Sequence, residues 1–392
     1  MISIPAAQTA LSSLGLDAWL IHDYCGSNPT LSKFITQQSH DTGRTFLIIP
    51  ANGQPRLLVH TLEILNHKDS DIVVDSFVSH QDIRAWLEKN LTPHKKVAME
   101  YSPNSDLPSV SFVDAGTLEL VRSFGPEIVT SADLLQATAP TWTPANLASH
   151  HQAARALEEI NAKAFDLIST SLRGDKPIDE YTVQQLIIAE MDRHKLIQDG
   201  PAIVAAGKNG RFPHYEPTKE HHSPVQKGDI VLIDLWAKPE GADGTFADIT
   251  VMGFAGTTVP PEARKVFDAV RTAQKLVVER LTETWTKKET LQGWELDRIA
   301  RDYITSQGYG DQFIHSTGHP IGPGDSVHAP GVGLNDISAH DTRVIIPGIG
   351  LTVEPGIYTK DFGVRLELNV YMDPEKGPVV TTHTQDDFFL LG

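Results

Sequence analysis

Residues 230–254 read IVLIDLWAKPEGADGTFADITVMGF. Two runs rich in β-branched and aromatic residues flank KPEGADG, a turn segment with two glycines and a proline, so the spacing predicts a β-hairpin. Each run carries a carboxylate among apolar neighbours, Asp234 and Asp248. A lone ionised carboxylate in a buried strand costs several kcal/mol or takes up a proton. A hairpin brings these two acids side by side on one face, where they repel unless a cation lies between them. The stretch therefore predicts an antiparallel sheet with an acidic, cation-seeking face.

The same motif of an acid inside an apolar strand returns near the C-terminus, with Glu354 in GLTVEPG and Glu367 in GVRLELNV. Between the two acidic pairs lies FIHSTGHPIGPGDSVHAPG, residues 313–331, which holds His315, His319 and His328. Its glycines and prolines exclude a long helix and most ladder pairing, and such a backbone can be bent to aim an imidazole. Asp234, Asp248, His319, Glu354 and Glu367 form a mainly oxygen set with one nitrogen. That set suits harder divalent ions, Mn2+ or Co2+ rather than copper. With bridging carboxylates it can hold two ions about 3.5–4 Å apart. Taken singly, each residue has an ordinary explanation as an ion-pair partner or a solvated group. Their joint occurrence, in this order, is the signal.

Around this constellation, residues 148–172, 175–197, 260–281 and 293–307 have apolar positions at helical spacing. The C-terminal part is predicted as helices beside a largely antiparallel sheet, an α+β layout. The N-terminal part alternates instead. A helix is expected over 6–16, strands over 17–24, 71–78 and 95–101, a helix over 80–91, and two strands around Asn52–Gly53 within 44–60. Residues 111–125 mix both periods, and their element type stays open. This alternation predicts a smaller α/β layer domain. The proline-punctuated seam QATAPTWTPANLASHH gives the boundary, with domains over 1–143 and 144–392. No internal repeat is visible.

The chain has 33 basic and 50 acidic residues, a formal charge of −17. Such a surface repels phosphate backbones and anionic lipid, so neither nucleic acid nor a membrane is an expected partner. Cys25 is the only cysteine, which excludes an intramolecular disulfide and a cysteine-based zinc site. A reducing cytoplasm is the expected location. The opening residues carry no basic leader ahead of an apolar run, and no export signal is expected.

The motifs together resemble those of the pita-bread metallopeptidases, which include Xaa-Pro aminopeptidases, prolidases and methionine aminopeptidases, with creatinase as a relative. The resemblance rests on PHY at 213–215, Asp234, DIT at 248–250, HSTGH at 315–319, VEPGIY at 353–358 and GVRLE at 363–367. It covers the chain from about residue 150 onward. The N-terminal third resembles, more weakly, the creatinase/prolidase-type N-terminal domain, which favours the Xaa-Pro branch. The resemblance implies Asp234, Asp248, His319, Glu354 and Glu367 as ligands of two divalent ions, Mn2+ or Co2+ with Zn2+ as the alternative. It implies Glu354 as the proton acceptor, His315 and His328 as catalytic pocket histidines, and His214, His315 and Arg365 as substrate-binding residues. The expected activity is hydrolysis of Xaa-Pro bonds in short peptides by a homodimeric exopeptidase, with Phe212 on an apolar wall for the proline ring. Two alternatives are hydrolysis of a non-peptide C–N bond without metal, as in creatinase, and a non-catalytic peptide-binding role. The complete ligand set speaks against both. Three departures from the family pattern are visible. The segment between Asp234 and Asp248 is longer than usual, His328 stands further from His319, and Leu368 replaces an expected aspartate after the last glutamate.

Overall fold

The computed structural model describes residues 2–35, 43–67, 72–138 and 141–392. It divides into two compact units, Met1–Pro140 and Thr141–Gly392.

In the first unit, strand Ala18–Tyr24 lies inside a six-stranded mixed sheet. It pairs antiparallel with Arg44–Pro50 and parallel with Lys96–Met99. Side chains alternate across the sheet, because successive strand residues point to opposite faces. Trp19 and Ile21 pack with Ala7 and Leu11 of helix Ile4–Ser13 and with Leu134. Ala18 and Leu20 pack on the other face with Leu87 of helix His80–Leu91 and Val121 of helix Ala115–Arg122. The expected hairpin at Asn52–Gly53 forms, with Phe46 opposite Leu58. The ambiguous 111–125 stretch becomes the helix Ala115–Arg122, whose start Asp114 caps by accepting from Thr117 N–H. The strand expected over 71–78 spans Val73–Phe77, and Asp71 lies outside the described residues.

The second unit begins with a helix, Pro144–Arg173. Pro144, read from sequence as the seam, occupies its first turn, where a missing N–H costs nothing. Thr143 and Asn146 cap it reciprocally. With helix Glu180–Arg193 it covers one face of the hairpin formed by Ile230–Pro239 and Ala247–Phe254. Val231, Ile233 and Leu235 point into that core with Ile249 and Val251. The opposite face carries Ile230 and Leu232 with Met252 and Phe254, packed in the core that also takes Phe267 and Val270 of helix Pro261–Lys287 and Leu296 of helix Gly293–Ser306. Farther along this same face stand Asp234, Trp236, Asp248 and Thr250.

A second antiparallel pair, Gly350–Val353 with Leu368–Asp373, continues into a shorter one, Gly356–Tyr358 with Gly363–Arg365. Pro355 and Leu366 mark the joint between them. Gln274 from the helix donates there to the carbonyls of Val353 and Leu366, at 3.0 and 2.8 Å. The joint therefore breaks strand pairing without orphaning these carbonyls, and it places Glu354 and Glu367 across from one another. The order helix, helix, antiparallel pair thus occurs twice in this unit, although the sequence shows no repeat.

A candidate metal centre

The two halves meet side by side. Asp248 N–H donates to Asn369 Oδ1 at 3.0 Å, and Asn369 Nδ2 donates to the Asp248 carbonyl at 2.8 Å. Glu367 N–H donates to the Thr250 carbonyl at 3.1 Å. This seam brings the acidic hairpin against the joint bearing Glu354 and Glu367. The hairpin register differs from the expected side-by-side pairing. Thr250 stands opposite Asp234, and Trp236 opposite Asp248. The two aspartates share a face diagonally, which leaves space between their carboxylates.

His319 enters from the glycine-rich loop. Its Nδ1–H donates to the Pro320 carbonyl at 3.0 Å, which makes Nε2 the nitrogen that ligates a metal once deprotonated. Nε2 lies 3.6 Å from Asp248 Oδ2 and 3.5 Å from Glu354 Oε1. One ligand atom each of Asp248, His319 and Glu367 lies within 4.8 Å of the others, a spacing that a single divalent ion spans. Asp234 Oδ1, Asp248 Oδ1 and Glu367 Oε1 are buried and accept no hydrogen bond. An unsatisfied buried acceptor costs about 1–3 kcal/mol, more when charged. Three such acceptors in one acidic set, two of them on residues that share the close group with His319, fit a cation.

Three other carboxylate oxygens of the set are held. Thr250 Oγ1 donates to Glu367 Oε2 at 2.8 Å, and Thr352 Oγ1 donates to Glu354 Oε1 at 3.1 Å. Arg365 donates to Asp234 Oδ2, to Thr250 Oγ1 at 3.1 Å and to the Tyr358 hydroxyl at 3.0 Å. Burial pushes the Asp248 carboxyl up to about 7 and raises those of Asp234 and Glu367. Burial acts on Glu354 in the same direction, but His319, His315 and Arg365 outweigh it and hold the group below the usual carboxylate range. Glu354 is thus the carboxylate most readily ionised.

The other predicted residues surround a cavity of about 650 Å³, which His214, His315, His328 and Arg365 line together with the acidic set. The rings of His328 and His319 sit 4.0 Å apart. Both nitrogens of His315 are engaged. Nδ1–H donates to the Ser316 carbonyl at 2.7 Å, so Nε2 accepts from the Tyr358 hydroxyl at 2.7 Å. Burial drives the pKa of His315 and of His328 down to about 4. Phe212 does not line the cavity. It is half exposed, and Arg211 stacks on it. The apolar walls come instead from residues such as Trp236, Ile314 and Ile337. Leu368 packs in the core, and Glu367 takes its hydrogen bond from Thr250 rather than from a neighbouring acid. Thr250 and Tyr358 lay inside the quoted motifs DIT and VEPGIY, yet their bridging roles depend on partners that only the fold brings near. Gln274 and Asn369 carried no signal in sequence.

Gly318 tests how tightly the loop is built. A Cβ there would lie 2.1 Å from the Thr352 carbonyl oxygen. Gly318→Ala is expected to destabilise the fold by about 1–3 kcal/mol and to shift His319. A urea unfolding midpoint and a metal titration, each compared with the parent, check it.

A buried acid–imidazole set at the seam of two antiparallel strand pairs, each backed by two helices, defines the pita-bread class of scaffold. The chain belongs to metallopeptidase family M24, whose pattern matches residues 149–374. It is 32% identical over 228 residues to a Xaa-Pro dipeptidase of Lactobacillus helveticus, an alignment covering 58% of this chain and 55% of that protein. The chain spans about half the length of most of the curated relatives it matches. Among solved structures it is similar to a dipeptidase from Mycobacterium ulcerans, with a TM-score of 0.66 and 22% identity, covering 99% of this chain and 96% of that one. It is also similar to a Caenorhabditis elegans X-prolyl aminopeptidase described as a cytosolic enzyme with a di-nuclear active site. There the TM-score is 0.60 at 16% identity, covering 97% of this chain and 62% of that one. At such identities the likeness is one of fold. No helix among the described residues is long and apolar enough to cross a membrane.

Proposed function

We propose that this chain is a metal-dependent exopeptidase that hydrolyses Xaa-Pro bonds of short peptides. Asp234, Asp248, His319, Glu354 and Glu367 would hold two divalent ions, Mn2+ or Co2+ ahead of Zn2+. The observation that carries this reading is the set of buried, unpartnered oxygens on Asp234, Asp248 and Glu367, with ligand atoms of Asp248 and Glu367 within 4.8 Å of one on His319. The preference for Xaa-Pro bonds is supported by the names of relatives within the family.

Bound ions supply a Lewis acid and a water that loses its proton near neutral pH. Glu354, the carboxylate of the set most readily ionised, would accept a proton from the attacking water and pass it to the leaving nitrogen. His328 forms no ring hydrogen bond among the described residues and can offer an N–H to the substrate carbonyl oxygen as negative charge develops there. His315 acts through Tyr358: its Nε2 fixes the hydroxyl that accepts from Arg365, and Arg365 in turn orients Asp234. His214 borders the cavity and contacts substrate. The proline ring packs on the apolar wall. A homodimer in a reducing cytoplasm completes the reading, in keeping with Cys25 as the only cysteine.

Xaa-Pro dipeptides and tripeptides incubated with the Mn2+-loaded protein are expected to release the N-terminal residue, and chelation should stop the release. A metal-loaded protein that cleaves no Xaa-Pro peptide would overturn the substrate assignment. Light scattering at 43.0 kDa would count against the dimer.

A further inference from the structure

Two carboxylates line the cavity without belonging to the ligand set, Asp199 and Glu216. Neither takes part in an ion pair among the described residues. Asp199 is held in place: its Oδ2 accepts from Val327 N–H at 2.9 Å, and its carbonyl accepts from Trp236 Nε1 at 2.8 Å. Glu216 is exposed, two residues beyond His214.

The cavity offers these acids no cation of its own. The one arginine on its walls among the described residues is Arg365, and its guanidinium is consumed by Asp234, Thr250, Tyr358 and the Pro213 carbonyl. No lysine lines it among the described residues. On the reading above, the four carboxylates of the ligand set are balanced by two divalent ions. Asp199 and Glu216 remain as uncompensated negative charge where a substrate lies. Their surroundings also suit a long cationic side chain. Trp236 and Ile203 give an apolar surface to an aliphatic stem, while the acid takes the charged head.

We propose that Asp199, assisted by Glu216, selects substrates whose N-terminal residue is lysine or arginine. This inference rests on the Xaa-Pro exopeptidase reading and names the residue before the proline. Asp199 is a specificity residue, distinct from the groups that handle the reacting bond. An acidic N-terminal residue meets like charge and is disfavoured.

The test compares Lys-Pro, Arg-Pro, Leu-Pro and Glu-Pro substrates with the metal-loaded protein. All four carry the same α-ammonium group, so a preference among them reports the side chain. The expected order of kcat/KM places Lys-Pro and Arg-Pro about tenfold above Leu-Pro, with Glu-Pro lowest. The Lys-to-Leu ratio should shrink as salt rises, because part of the attraction is screened. Asp199→Asn keeps an oxygen for Val327 N–H and removes the charge, and Glu216→Gln removes an exposed charge at little risk to folding. Each is expected to lower the Lys-to-Leu ratio, with Asp199→Asn the larger effect. Calorimetry on the chelated protein gives a readout without turnover; Lys-Pro should bind more tightly than Leu-Pro there too, and Asp199→Asn should reduce that difference, which separates Asp199 from the uncovered ligand carboxylates. Cleavage of Leu-Pro as fast as Lys-Pro would overturn this inference and leave the exopeptidase reading intact. An equal fall for both substrates in Asp199→Asn would also overturn it, placing Asp199 at the shared ammonium or the loop. Failure to cleave any of the four would sink the exopeptidase reading itself. The chelated protein's preference would then decide the inference alone: equal affinity for Lys-Pro and Leu-Pro would overturn it.

Discussion

Glu354→Gln is expected to lower kcat on Xaa-Pro peptides by about 10³-fold while leaving the fold in place. The amide matches the carboxylate in shape, and its oxygen can still accept from Thr352 Oγ1, as Glu354 Oε1 does at 3.1 Å. What it loses is the capacity to take a proton, together with one negative charge toward the ions, so the assay is run at saturating metal. Glu354 is also the carboxylate that its surroundings keep ionised: His319, His315 and Arg365 outweigh the effect of burial. The loss should appear mainly in kcat, because proton transfer belongs to the transition state. Stopped-flow or steady-state assay with matched circular dichroism checks both halves. A folded variant retaining more than about a tenth of parental kcat would remove Glu354 from the proton path.

Divalent metal is expected to stabilise the chelated protein by about 2.7 kcal/mol when supplied at a hundred times its dissociation constant. For a protein of 392 residues that corresponds to a rise of about 3 °C in unfolding temperature. The cause is the cost of the metal-free centre. Asp234 Oδ1, Asp248 Oδ1 and Glu367 Oε1 are buried without a partner, and burial, with the neighbouring carboxylates acting in the same direction, holds Asp248 and Glu367 toward their protonated forms. Divalent ions held by the set would satisfy them. Asp248→Asn or Glu367→Gln should remove most of the metal-dependent rise, since each deletes a charge at a shared ligand position. Scanning calorimetry of chelated and Mn2+-loaded protein, with elemental analysis, makes the comparison. Identical unfolding temperatures would exclude a metal centre here.

Arg365 shows how much of the site was readable in advance. Its place two residues before Glu367 marked it as a site residue, through likeness to a known motif. Its actual work is to hold Asp234, Thr250 and Tyr358 together, at sequence separations of 131, 115 and 7. His315 is a second example. Likeness to HSTGH implied a catalytic, substrate-binding pocket histidine, whereas its two nitrogens are committed to the Ser316 carbonyl and Tyr358. A motif reports residue identity, and hydrogen-bond commitments follow from neighbours that the motif does not contain. Phe212 fails for a related reason: an aromatic next to PHY reads as a wall, but its side chain turns to Arg211.

The sequence alone determined the α+β class of the C-terminal part, the hairpin around KPEGADG, and the five acid and imidazole groups that seek a cation. These are local or compositional matters. Turn residues and alternating apolar positions act over a few residues, and a carboxylate in an apolar strand demands compensation wherever it lies. The tertiary structure decided the rest: the diagonal register of Asp234 and Asp248, the joint at Pro355 and Leu366 that faces Glu354 toward Glu367, and the seam through Asn369. It also showed the order helix, helix, antiparallel pair used twice. Those features depend on hydrogen bonds such as Asp248 to Asn369, 121 residues apart. Contacts at that separation leave no period and no spacing in the chain, because they are selected by packing after the local elements have formed.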